Sequence, residues 1–228
     1  MSSRRRSWTP GPGVAVPGLT WAIALTLAVV ASGCVSSGAS PEVKARQEYE
    51  RGLKLQDRGN LPEAMAVYDS ALELDPSMSE AYAALGYVHY LYGATSDALV
   101  DLNRAIDLNP DSAQAYYYRG LVLAKADDPE DAVLNFSRAV QLNPDMTLAY
   151  YNRARVYFED EEYDLALEDL SAAIRTDPES PSLYMIRGQT YLLAGQPDKA
   201  IPDLEQVLAL TENESVAAAA RELLSLVR

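Results

Sequence analysis

The chain has 228 residues, with 19 Lys plus Arg against 33 Asp plus Glu and a formal net charge of -14. The length suffices for one domain or one repeat array with a sizeable core, and the acidity excludes nucleic acid or an anionic bilayer surface as the main partner, since both demand a basic footprint. One Cys and one His exclude an internal disulfide and a Cys/His-rich zinc site.

Arg4, Arg5 and Arg6 make a basic start. Leu19 to Val30 is an apolar run too short for a comfortable bilayer span and suited to a signal h-region. Ala31-Ser32-Gly33 then leads into Cys34, the only cysteine. This arrangement resembles the lipobox of bacterial lipoproteins, with Ala31 where Leu is usual. The resemblance implies a signal peptide over 1–33, a lipid on Cys34, and a flexible tether within 34–44. It also implies a place in the bacterial cell envelope, lipid-anchored and facing the periplasm or exterior. A chain beginning at Cys34 would keep 16 bases and all 33 acids, a net charge of -17.

From residue 45 the sequence repeats every 34 residues. Pro76, Pro110, Pro144 and Pro178 fall on that period, as do Ala64, Ala98, Ala132, Ala166 and Ala200. So do Gly52, Gly86, Gly120, Ala154 and Gly188. The units are 45–78, 79–112, 113–146, 147–180 and 181–214. Each holds two apolar stretches of helical period, of about fourteen and twelve residues, separated by a turn. Small residues let the two helices approach closely, and the proline stops the second. One pair cannot bury its own apolar face, so pairs must stack. Residues 215–228 read as a capping helix, with Ser215 as its N-cap.

The pattern resembles the tetratricopeptide repeat (TPR) family. In the second unit it is carried by Tyr82, Gly86, Ala98, Leu102, Ala105 and Pro110, and in the fourth by Tyr150, Ala154, Tyr157, Ala166, Leu170, Ala173 and Pro178. The resemblance implies an all-α, right-handed superhelical solenoid of five helix-turn-helix units plus the C-terminal capping helix.

Tyr82, Tyr116, Tyr150 and Tyr184, at position 4 of their units, are expected in the core. His89 takes a packing position and is expected to be a satisfied histidine. A second stripe along the first helices lines the concave groove in TPR arrays. Here it holds Tyr49, Tyr87, Tyr90, Tyr117, Tyr118, Leu121, Tyr151, Asn152, Arg155, Phe158 and Gln189. So many aromatics on one face point to a partner-binding groove; the alternative is that the rings pack on one another. The Lys and Asn with which TPR clamps for chaperone carboxylates open are missing, so the groove is not such a clamp. Asn103, Ser137 and Ser171, taken as exposed residues of the second helices, are expected to matter little for partner binding.

Position 7 is Arg in four units. Eighteen residues before each position 7 lies position 23 of the preceding unit, and polar partners coincide with Arg in the pairs Asp101/Arg119, Asn135/Arg153, Asp169/Arg187 and Asp203/Arg221. These are expected to be structural contacts between units. No Gly-rich phosphate loop, nucleophile elbow or carboxylate cleft appears, so no catalytic residue, metal or cofactor is expected. The expected function is that of a non-enzymatic, membrane-anchored scaffold binding an extended peptide segment of an envelope protein. Two alternatives stand beside it, namely cell-wall glycan binding by stacked tyrosines and, by resemblance, assembly of type IV pili or secretion machinery.

Overall fold

The computed structural model describes residues 39–227. The expected signal peptide, Cys34 and the first part of the tether lie outside the described residues. The rest is helical, with no strand among the described residues. The first hairpin is α1 (Pro41–Asp57) with α2 (Leu61–Leu74), and the second α3 (Ser79–Tyr92) with α4 (Thr95–Leu108). The third is α5 (Ala113–Lys125) with α6 (Pro129–Leu142), and the fourth α7 (Thr147–Glu159) with α8 (Tyr163–Thr176). The fifth is α9 (Pro181–Leu193) with α10 (Pro197–Leu210), and α11 (Glu214–Val227) closes the array.

Helices pack in chain order, each against the next. The first helices also touch one another from hairpin to hairpin, α1 with α3, α3 with α5 and α5 with α7. Such crowding places the first helices on the inside of the curve, so their stripe forms the concave face.

Within each hairpin a small residue faces a large one sixteen positions later. A Cβ on Gly120 would lie 2.6 Å from the Phe136 ring, and one on Gly86 would lie 2.7 Å from Leu102. Gly188 is looser, 3.2 Å from Leu204, and in the fourth hairpin Ala154 packs with Leu170. Phe136, Leu102, Leu170 and Leu204 are fully buried by these contacts. The turn between paired helices reverses through one left-handed residue: Gly59, Gly93, Asp127, Glu161 and Gly195, with φ from 61° to 77°. Three are glycine, which adopts this conformation at no steric cost; Asp127 and Glu161 bear it with a Cβ.

The ends differ from the expected boundaries. The first helix begins at Pro41, inside the expected tether, because Ser40 caps it by accepting from the Val43 amide at 3.4 Å and Pro41 suits the first turn. The last helix is capped by Asn213 rather than Ser215: its Oδ1 accepts from the amides of Ser215 at 3.0 Å and Val216 at 3.4 Å. Asn213 reaches those amides because it precedes the helix, whereas Ser215 is already within it. The position-4 tyrosines pack against the core, as expected of them, but remain half-buried. Arginines cover three of the four, Arg119 over Tyr116 at 5.4 Å, Arg153 over Tyr150 at 5.9 Å and Arg187 over Tyr184 at 5.8 Å.

Glu161→Gly should relieve the left-handed strain and raise stability by about 0.5–1 kcal/mol in urea unfolding. Gly120→Ala should lower stability by about 1–3 kcal/mol, and more than Gly188→Ala, because only the former drives a methyl into a buried ring.

Candidate functional site

The polar ladder is present, with its partners shifted by one unit. Arg153 donates from Nε and Nη2 to both carboxylate oxygens of Asp169, at 2.7 and 2.6 Å, and Arg187 does the same to Asp203 at 2.8 and 2.7 Å. Each arginine thus clasps position 23 of its own hairpin. The physical reason is the antiparallel hairpin, which places position 7 beside position 23, next to the close approach of positions 8 and 24. Contact to the preceding unit runs through position 25: Arg119 donates to Asn103 Oδ1, Arg153 to Ser137 Oγ, both at 2.7 Å, and Arg187 to Ser171 Oγ at 3.1 Å. Asn103, Ser137 and Ser171 are therefore structural acceptors between hairpins, and Ser137 and Ser171 are half-buried rather than exposed.

The expected Asp101/Arg119 pair is replaced by His89, whose Nδ1 lies 2.8 Å from Asp101 Oδ2. The second hairpin has Leu85 at position 7, so histidine from one turn further along fills the gap. Likewise Asn135 serves Arg119 rather than Arg153, accepting from Nε at 2.8 Å. Arg221 does not pair with Asp203. It lies on the exposed face of the last helix, 2.7 Å from Glu214. Hydrogen bonds to the carboxylates push the Arg153 and Arg187 pKa values up, whereas burial pushes that of Arg119 down.

The concave stripe divides into two parts. In the second and third hairpins the rings interlock: Tyr87 stacks on Tyr118 at 4.3 Å and on Tyr90 at 6.0 Å, and Tyr117 tilts against Tyr118 at 5.6 Å and Phe136 at 6.0 Å. Lys125 Nζ lies 5.0 Å over Tyr90. Burial raises the Tyr117 pKa to about 12, so its hydroxyl remains protonated at neutral pH. Outer faces of Tyr117 and Tyr118 still line an open cleft of about 530 Å³ with Gln114, Met146 and Leu148.

Asn152, expected to meet a ligand, is buried. Its Nδ2 donates to the Leu148 carbonyl at 2.8 Å and to the Tyr117 hydroxyl at 3.3 Å. It holds the neighbouring ring, because its short side chain lies between the first helices of adjacent hairpins. Tyr49 is also buried: it tilts against Tyr68 at 5.9 Å and belongs to the core of the first hairpin.

The second part is a smaller cleft of about 190 Å³. Tyr151, Phe158, Leu170 and Ile186 form its walls, with Arg155 and Gln189 beside them. Phe158 is braced by the edge of Tyr163 at 5.7 Å. Arg155 is exposed, with only a loose approach to Glu159 at 3.8 Å. The arrangement offers an apolar recess for one side chain and free donors for a backbone or an amide.

Models of the tetratricopeptide repeat match residues 123–181 and 151–215, and models of the TPR repeat match 52–93 and 92–127. Together they span 52–215, well over half of the chain. The chain belongs to the tetratricopeptide repeat family. Among solved TPR structures it is similar to YrrB, described as a TPR protein with an unusual peptide-binding site, at 26% identity and TM-score 0.61, covering 78% of this chain and 92% of that one. It is similar to MamA at 27% identity and TM-score 0.62, covering 75% and 94%. Over 75 residues it is 40% identical to the type IV pilus assembly protein PilF of Pseudomonas aeruginosa, a match covering 29% of this chain and 30% of that protein. The chain thus spans under a third of that relative.

Of the expected groove residues, this TPR array brings Tyr151, Arg155, Phe158 and Gln189 to one recess and Tyr87, Tyr90, Tyr117 and Tyr118 to one ring cluster. Leu170 and Ile186 also line the recess and were not among the stripe. Ile186 sits at position 6 of its unit, the place that Asn152 takes in the fourth, so the 34-residue period points to it. Leu170 is a core position of the second helix whose side chain forms the floor.

Asp169→Ala should cost roughly 3 kcal/mol, because it leaves the Arg153 guanidinium half-buried without its carboxylate. Arg221→Ala, at an exposed pair, should change stability by less than about 0.5 kcal/mol. Guanidinium chloride unfolding of both variants checks the contrast.

Proposed function

We propose that this TPR protein is a non-enzymatic scaffold, tethered to a bacterial membrane through Cys34, whose concave face holds an extended segment of another envelope protein. The observation that carries the reading is the recess of Tyr151, Phe158, Leu170 and Ile186, an open apolar surface flanked by the donors of Arg155 and Gln189. An aliphatic or aromatic side chain of the partner enters it, and its removal from water supplies the affinity. The donors fix the register of the partner's backbone. The interlocked rings beside it extend the contact surface without needing to be ordered on binding. The solved relative with a peptide-binding site supports a peptide as the ligand.

The acidic body steers partners that carry basic residues near their apolar anchors. The proposed attachment is the lipid on Cys34, and it rests on the lipobox-like run Ala31-Ser32-Gly33 before that cysteine. The match to PilF favours a second reading, that the partner is a component of a type IV pilus or a related secretion assembly.

Tyr151→Ala with Phe158→Ala should leave helicity unchanged by circular dichroism and reduce partner recovery from native membranes at least tenfold. Unchanged recovery with intact helicity would reject the recess. Raising salt should slow association while leaving dissociation nearly unchanged. Cys34→Ser should move the protein out of the membrane fraction; unchanged fractionation and gel mobility would reject the lipid anchor.

A further inference from the structure

The ladder rungs differ in one respect. At Arg153 and Arg187 the Nε and Nη2 edge of the guanidinium is closed by a carboxylate. At Arg119 that place is taken by Asn135, a neutral amide with one acceptor, which serves Nε only. Nη1 donates to Asn103 Oδ1, another amide. No acceptor among the described residues takes Nη2, and none of their buried side-chain nitrogens or oxygens lacks a partner, so Nη2 is not fully enclosed. Arg119 is thus a half-buried cation without an opposing carboxylate in contact.

The same guanidinium faces a cleft of about 480 Å³ between α4, α5 and α6. Leu99, Leu123 and Leu134 give the cleft aliphatic walls, and Leu134 is 65% exposed. Tyr116 forms another wall and carries a second cation, Arg138, 5.9 Å from its ring. Arg138 is engaged by Gln141 at 2.8 Å and Asp111 at 3.5 Å. Asp131 also lines the cleft, farther from Arg119 than an ion pair allows, and its charge opposes an incoming anion. None of these residues belongs to the Tyr151 recess.

We propose that the Arg119 cleft is a separate docking site for an acidic side chain of a protein partner, flanked by aliphatic residues. The carboxylate completes the rung by accepting from Nη2, as Asp169 and Asp203 do in their own hairpins. The aliphatic neighbours cover Leu99, Leu123 and Leu134. A carboxylate suits this place because one of its oxygens can take Nη2 while Asn135 keeps Nε, and Nη2 is a donor that meets a carboxylate oxygen in the neighbouring rungs. A multiply charged free anion would meet the full repulsion of an acidic body for the same single contact.

The test is a titration of the full-length, nitrogen-15-labelled chain with a capped Leu-Asp-Leu tripeptide. The Arg Nε–H resonances are followed, with those of Arg153 and Arg187 as internal references. The Arg119 resonance should shift saturably at millimolar peptide, the range for a short ligand with one charged contact, while the other two stay in place. A Leu-Asn-Leu tripeptide should bind at least tenfold more weakly. Methyl phosphate at equal concentration should give no saturable shift; equal saturation would mean a general anion site and would overturn the assignment to an acidic peptide. Asn135→Asp should supply the carboxylate internally and abolish the response, and Asp131→Asn, at an exposed position, should strengthen it. The proposal fails if Arg119 shifts no more than Arg153, or if Asn135→Asp leaves saturation unchanged. It also fails if Asp131→Asn, which keeps the fold even should Asn135→Asp not fold, gives no gain.

Discussion

The structure depends on the close approach of two helices at one small residue per hairpin. Gly86 against Leu102 and Gly120 against Phe136 leave no room for even a methyl without movement. That contact fixes the sliding register of the two helices. With the register fixed, position 7 must meet position 23, which gives Arg153 its two bonds to Asp169 and Arg187 its two to Asp203. The same register turns the opposite side of the first helix inward, so that Tyr151, Arg155 and Phe158 line one recess. Packing, polar ladder and concave face are three consequences of one distance.

The ladder and the groove use aromatic and cationic groups in complementary ways. Tyr116, Tyr150 and Tyr184 are shielded by arginines whose remaining donors stitch neighbouring hairpins together. Their surfaces are thereby used up within the fold. On the concave side Tyr87, Tyr90, Tyr117 and Tyr118 shield each other, with Asn152 fixing Tyr117. These rings are packed on one another in the absence of a partner, and such preorganisation lowers the entropic cost of binding. The recess formed by α7, α8 and α9 leaves apolar walls open at the size of a single side chain.

The helical solenoid was legible in the sequence because each 34-residue unit repeats its small and large residues at fixed places. The ladder was legible in residue type and not in pairing. An offset of sixteen residues forward and one of eighteen backward differ by one full period, so the same residue types recur at both. Across units the backward offset even matched better, since Leu85 faces Asp101 in its own hairpin. Only geometry shows that His89 resolves that mismatch. The groove stripe was legible in outline, but the division into interlocked rings and an open recess depends on ring orientations that spacing does not encode. Asn152 shows the same limit: its place on the stripe is correct, and its bond to Tyr117 removes it from the surface. The start of the first helix is hidden in the sequence because Ser40 and Pro41 also suit a tether.

The central claim is that the concave recess meets the extended segment of the partner. It is tested most directly by a photoreactive residue placed at Gln189, which is exposed beside the recess, and in a second variant at Glu168, exposed on α8. In native membranes the Gln189 variant should give a discrete adduct that disappears when Phe158 is replaced by Ala. The Glu168 variant should give none that depends on Phe158. Identical adducts at the two positions, or a Gln189 adduct indifferent to Phe158, would contradict the account.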